Sequence, residues 1–264
     1  MKKPLRFLTL LASLLSIFAV ETNAQNLPGS LSFTVSGSFE NGVGQGNNTI
    51  LIADNNLTNG YAAGMDLKDA PTSLNPNGPA GAAAFQWGAA ARGSSYDHAS
   101  ALWFAPLPAV NVAANQYFNL GNLYYRNGTI QSGTGASSVN LALNLNFSNP
   151  SGLPAAVASF TSDLINTPNT SDPVASADIV SIRNSGAPLN FTDTSGNKYF
   201  LELSFKVDQA TLDGTLSTQN EFRVFEGGQG RAELLGRFTT APIPEPSSAL
   251  LAVLGMVAVL RRKR

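Results

Sequence analysis

The chain has no cysteine, one histidine and little charge: Asp, Glu, Lys and Arg make up 12% of its 264 residues. Without cysteine no disulfide can staple the fold, so stability must come from a buried core. More than two hundred residues suffice for one. A single imidazole, His98, leaves any histidine-based chemistry resting on one position. The apolar stretches Phe7–Val20 and Ala249–Leu260 lie near the two ends of the chain. No convincing amphipathic helix lies between those ends. Low charge does not mean disorder here, because apolar residues alternate strongly along the chain.

Positive charge is scarcer than the near-neutral total suggests. The formal net charge is −1, yet residues 25–260 hold nine basic and sixteen acidic residues, a net of −7. Most of the excess basic charge sits in the terminal segments. An acidic body with scattered cations is a poor binder of nucleic acid and is repelled by anionic lipid. It suits a solvated surface domain.

What is present is period-two alternation. In Ser138 to Ser148, Val139, Leu141, Leu143, Leu145 and Phe147 share one face, against Asn140, Ala142, Asn144 and Asn146. Such a pattern belongs to a half-buried strand. Lys198 to Val207 repeats it, with Tyr199, Leu201, Leu203, Phe205 and Val207 against Phe200, Glu202, Ser204 and Lys206. Further strands are expected at Leu31–Phe39, Phe118–Tyr125, Ala177–Ile182, Glu221–Phe225 and Glu233–Thr239. Ala80–Ala91 is Ala-rich, but Gly81, Gly88, Phe85 and Trp87 make it at least as compatible with a strand. Asn127-Gly128 reads as a hairpin turn and Asp193 to Asn197 as a second turn. Residues 41–82 and 149–175 read as long Gly/Pro/Asn-rich loops inside one domain. The expected fold is all-β: an antiparallel β-sandwich, jelly-roll-like, flanked by an N-terminal signal helix and a C-terminal hydrophobic helix.

The ends carry addresses. Lys2, Lys3 and Arg6 precede the fourteen apolar-rich residues Phe7 to Val20, and Thr22-Asn23-Ala24 puts small residues at −3 and −1. Residues 1–24 therefore read as a secretory signal peptide cleaved between Ala24 and Gln25. At the other end, Pro242, Pro244 and Pro246 keep the chain extended and accessible. The apolar run Ala249–Leu260 follows, then Arg261, Arg262, Lys263 and Arg264. Twelve to fourteen helical residues cover about 20 Å of a hydrocarbon core about 30 Å thick, a marginal span even with snorkelling arginines. The basic end favours the cytoplasmic side and leaves the body outside. An ordinary terminal helix is the alternative.

Pro244-Glu245-Pro246, the apolar run and the basic end occur in the order of, and resemble, the PEP-CTERM sorting signal of Gram-negative bacteria. The resemblance covers residues 241–264. It implies that Pro244, Glu245 and Pro246 are recognised by an exosortase-type processing enzyme, after passage through the export machinery and transient residence in the inner membrane. The expected location is beyond that membrane, at the cell surface or outside the cell. A second resemblance covers roughly residues 31–240 of the body domain, 25–240. Its blocks are Ser36 to Asn41, Phe85 to Gly88, Phe118 to Ile130, Asn166 to Pro173, Ser176 to Val180, Phe225 to Gly228 and Gly236 to Thr239. In this order they are similar to the choice-of-anchor K family of bacterial surface proteins, which implies no activity. The expectation is a noncatalytic surface or exopolysaccharide-matrix protein. A carbohydrate-binding module, calcium-dependent or not, is the alternative, and a glycan hydrolase is a third reading.

Candidate chemistry in the body is sparse. Ser94-Ser95-Tyr96-Asp97-His98 gathers hydroxyls, a carboxylate and the imidazole, but neighbours in sequence cannot converge as a triad does. Asp54-Asn55-Asn56-Leu57-Thr58-Asn59-Gly60 echoes a calcium loop, with Asp54 and Asn56 as ligands. Asn59 and Met65, however, stand where an EF-type loop needs Gly and Glu. Asp172 and Asp178, near Asn166 and Asn169, are a second calcium candidate; turn and strand-end capping is the alternative. Glu226 and Glu233 are considered as a glycosidase carboxylate pair. Trp87, Trp103, Tyr124 and Tyr125 offer rings for sugar stacking, although a β-sandwich spends most such rings in its core. No cofactor is expected apart from that calcium.

Overall fold

The computed structural model describes residues 30–56, 65, 81–91, 93, 98–113, 115–149, 151–183, 186–192, 198–207 and 217–239. Both expected terminal addresses and their helices lie outside these residues. Among the described residues no helix is long and apolar enough to cross a membrane.

Thirteen strands are described: β1 (Leu31–Gly44), β2 (Leu51–Asp54), β3 (Ala83–Trp87), β4 (Ser100–Pro106), β5 (Ala109–Val112), β6 (Tyr117–Arg126), β7 (Ala136–Asn149), β8 (Ala156–Ile165), β9 (Asp178–Ile182), β10 (Gly186–Thr192), β11 (Lys198–Val207), β12 (Glu221–Val224) and β13 (Gln229–Thr239). They form two antiparallel sheets, ordered β12-β9-β8-β7-β1-β5 and β10-β11-β13-β6-β4-β3-β2. Over the described residues the protein is all-β, a two-sheet sandwich.

Alternation sets the core. On β1 the odd positions from Leu31 to Phe39 point inward, and on β7 Val139, Leu141, Leu143 and Leu145 do the same. Rings cross the gap between sheets: Phe33 on β1 lies 5.6 Å from Phe118 on β6 and 5.7 Å from Phe238 on β13. Midway along β1 the sheets approach so closely that a side chain would not fit. A Cβ on Gly37 would fall 2.4 Å from the Phe104 ring.

Several expectations are corrected. The stretch 41–82 is not one loop. β1 continues to Gly44 through an irregularity in register, between Glu40 and Val43, where Asn41 takes a positive φ of 52°. β2 follows at Leu51. The stretch 149–175 holds the ten-residue β8, whose inward positions include Ala156, Ala158 and Ser162, too small to stand out by hydrophobicity. β4 and β5 lie outside every predicted strand. β4 is buried on both faces, so no polar face interrupts Ser100 to Pro106. Its inner side joins the main core, and Ala101, Trp103 and Ala105 pack on the outer side with Ala82, Ala84, Met65 and Tyr124.

Glu202, expected on a wet face, is 4% exposed. It accepts bonds from Arg237 Nε at 2.9 Å and Nη2 at 2.6 Å on neighbouring β13, and Arg237 lies over the Tyr117 ring at 4.8 Å. Asn127-Gly128 is not a hairpin turn either. The chain leaves β6 in one sheet and enters β7 in the other. The turn cluster 193–197 joins the antiparallel neighbours β10 and β11 and lies outside the described residues.

Candidate functional site

At one end of the sandwich the chain crosses repeatedly between sheets, and the crossings wall a polar cleft of about 380 Å³. Gln45 contributes from the end of β1, Gly128 to Gly135 from the β6–β7 connection, Asn166 to Asn169 from the end of β8, Asp178 from the start of β9, and Glu226 from the β12–β13 corner.

The corner is built by Asn127. Its amide N–H donates to Gly228 O at 3.0 Å and its carbonyl accepts from Gly227 N at 2.8 Å. Its side-chain Nδ2 donates to Val224 O at 3.0 Å. The adjoining Gly128 has no room for a side chain, since a Cβ would fall 2.0 Å from His98 O. Asn-Gly is thus spent on close packing at a sheet-to-sheet crossing.

The β6–β7 wall is pinned to both sheets. Ala91 N donates to Thr129 O at 2.8 Å and Gln131 N to Ala89 O at 2.8 Å, while Gln45 N donates to Gly135 O at 3.0 Å. Thr134 Oγ1 accepts from Ala89 N at 3.0 Å and donates to Gln131 O at 2.7 Å. Asn166 Nδ2 donates to Gln45 Oε1 at 2.8 Å across the cleft rim. Backbone groups held at both ends make a preformed wall.

Asp178 opens β9 opposite Val224, the last residue of β12. It is 5% exposed, and its Oδ1 accepts from Thr167 N at 2.6 Å and Thr167 Oγ1 at 3.1 Å. Burial pushes its pKa from the ordinary value up to about 6, the two Thr167 bonds pull it down, and the Glu226 charge adds to the rise. The Tyr125 phenol beneath is raised by burial and then by Asp178 and Glu226. Glu226 Oε1 is buried without a hydrogen-bond partner. The lining includes no Lys, Arg or His. The site therefore sets a buried carboxyl, Asp178, beside a half-buried one, Glu226, with amide groups in a polar cleft. Such a site can hold a cation, or a polyhydroxylated ligand through its amides.

The structure sorts the predicted residues. Asp178, Asn166 and Asn169 meet at the cleft, whereas Asp172 is exposed and caps its own turn, accepting from Val174 N at 2.9 Å. Asp54 does likewise for Asn56 N at 3.0 Å, and residues 57–64 lie outside the described residues. Between them Asn55 bridges to β1, its Oδ1 accepting from Phe39 N at 2.8 Å. His98 is half-buried just before β4, and Ser94 to Asp97 lie outside the described residues. Glu226 and Glu233 are not brought together: Glu226 lines the cleft, and Glu233 pairs with Lys206 at 3.2 Å on the β11–β13 surface. Trp87, Trp103 and Tyr125 are buried, leaving Tyr124 half-buried. Sequence reasoning missed the pairing of Asp178 with Glu226. The available signal was two carboxylates at strand ends, each beside small or glycine residues.

By fold and site, the chain is a β-sandwich with a loop-built polar cleft. No protein-family model matches it, and no curated protein is detectably similar.

Proposed function

We propose that this chain is an exported, noncatalytic β-sandwich of the bacterial cell surface or exopolysaccharide matrix. A signal peptide at 1–24 and a PEP-CTERM-like signal at 241–264 deliver it. The observation that carries this reading is the ordered tail: Pro244-Glu245-Pro246, an apolar run, then Arg261 to Arg264. An exosortase-type enzyme is its processing partner, and the inner membrane holds it transiently. The jelly-roll-like form and the choice-of-anchor K kinship of the body belong to the same proposal. Its role is display, with strand faces and end loops meeting matrix glycan or protein; nucleic acid is not a partner of this acidic body. Fractionation of cells expressing the full chain beside a form lacking residues 244–264 tests it. The truncated form is expected to lose surface retention, and equal retention of both sinks the sorting claim.

A second reading, a carbohydrate-binding module, is favoured by the polar cleft. Its amides suit sugar hydroxyls, and its buried rings weaken the case for stacking. Polysaccharide pull-down with and without chelator separates the readings. Retention that chelator abolishes supports the module; no retention in either condition leaves display alone.

A further inference from the structure

We infer that the cleft is a divalent-cation site in which Asp178 and Glu226 are the charged ligands and loop amide oxygens complete the shell. The inference deepens the module reading and rests on its cleft.

Three observations carry it. First, two carboxylates, one opening β9 and one on the β12–β13 crossing, face one cavity with no basic side chain in its lining. Second, their oxygens are only partly used. Asp178, nearly fully buried, spends Oδ1 on Thr167, and among the described residues no hydrogen bond meets its other oxygen. Glu226 Oε1 is buried and, among the described residues, meets no donor. An ionised oxygen out of reach of both water and donors is costly, and a cation in the cleft would remove that cost. Third, amide oxygens stand nearby. Asn166 gives its Nδ2 to Gln45 and Gln131 gives its Nε2 to Ala90 O at 3.1 Å, so each retains its side-chain oxygen as an acceptor. Asn169 adds another amide.

Ligand chemistry selects the ion. With oxygen donors and neither sulfur nor imidazole in the lining, the site suits a hard cation. Ca²⁺ takes six to eight oxygens in flexible geometry and tolerates water among them, whereas Mg²⁺ demands a tight octahedron. Two carboxylates rather than three or four, with about 380 Å³ of space, fit a partly hydrated ion held weakly. The expected affinity lies in the range of extracellular calcium modules, about 10⁻⁴ to 10⁻³ M.

The sequence alternatives Asp54 and Asp172 are displaced by the same reasoning. Each carboxylate already caps its own turn, and neither lines the cleft.

The test uses the purified full chain and Tb³⁺, a luminescent stand-in for Ca²⁺. Tyr125 stacks on Trp87, centroids 5.8 Å apart, and feels both carboxylate charges, so these rings are placed to sensitise a bound lanthanide. We expect one saturable sensitised Tb³⁺ site, displaced by millimolar Ca²⁺ and far less by Mg²⁺. Asp178→Asn and Glu226→Gln should each weaken it at least tenfold, with Asp172→Asn unchanged. Circular dichroism verifies that the variants fold. Absence of sensitised emission in the wild-type chain overturns the site without reference to any variant. Undiminished binding by the folded double variant also overturns it. Glycan retention is scored separately: an ion bound without glycan keeps the site and sinks the module reading, and chelator-independent glycan binding without ion does the reverse.

Discussion

Asp178 is a buried carboxyl whose surroundings disfavour its charged form. Its pKa is raised to about 6 because burial disfavours the charged form more than the Thr167 bonds favour it. A carboxyl raised in the folded state contributes stability that is present below its unfolded pKa and lost as pH climbs through the folded value. In ion-free buffer, Asp178→Asn should therefore be more stable than wild type at pH 7, by on the order of 2–3 kcal/mol for two pK units. The difference should vanish near pH 4. Chemical denaturation across that range measures it, and a pH-independent gap would mean that the carboxyl ionises normally. Excess Ca²⁺ should shrink the gap, because only the ionised wild-type side chain repays the ion. The position was readable from the sequence as a candidate ligand. Its partner is not, because Glu226 lies 48 positions further along and is brought near only by the pairing of β12 with β9.

At the scale of strands, legibility followed solvent exposure. β7 and β11 were read almost residue by residue, since one face of each is apolar and the other mostly polar. β4 shows no alternation because both its faces are covered, and β8 shows little because three of its five inward residues, Ala156, Ala158 and Ser162, are small. The alternation of β1 ends at Phe39 because the register breaks between Glu40 and Val43, and the strand continues beyond the break to Gly44. Cross-strand pairs also act here, and burial decides their worth. Arg237 and Glu202 face each other on β13 and β11, with side chains 26% and 5% exposed. Arg237→Ala leaves the buried Glu202 carboxylate without its cation and should cost about 1–3 kcal/mol. On the same two strands Lys206 and Glu233 are 65% and 31% exposed. Lys206→Ala should change stability by under about 1 kcal/mol. Paired urea midpoints decide this; equal shifts would refute the ranking by burial.

The whole molecule is a sandwich whose chain crosses between sheets at 127–135 and 225–228, and these crossings make the cleft. Surface retention after loss of residues 244–264 is a test at this scale, since delivery is proposed to depend on the tail and the cleft on the body. The sequence by itself determined the fold class, most of the inward faces and the acidity of the body, because alternation and charge are local properties of the chain. It also carried the tail motif, on which the proposed delivery rests. Only the tertiary structure decided that Asn127-Gly128 clamps a corner and that Asp178 meets Glu226. Those outcomes depend on which sheet each strand joins. That choice is set by packing between residues far apart in sequence, and no local pattern records it.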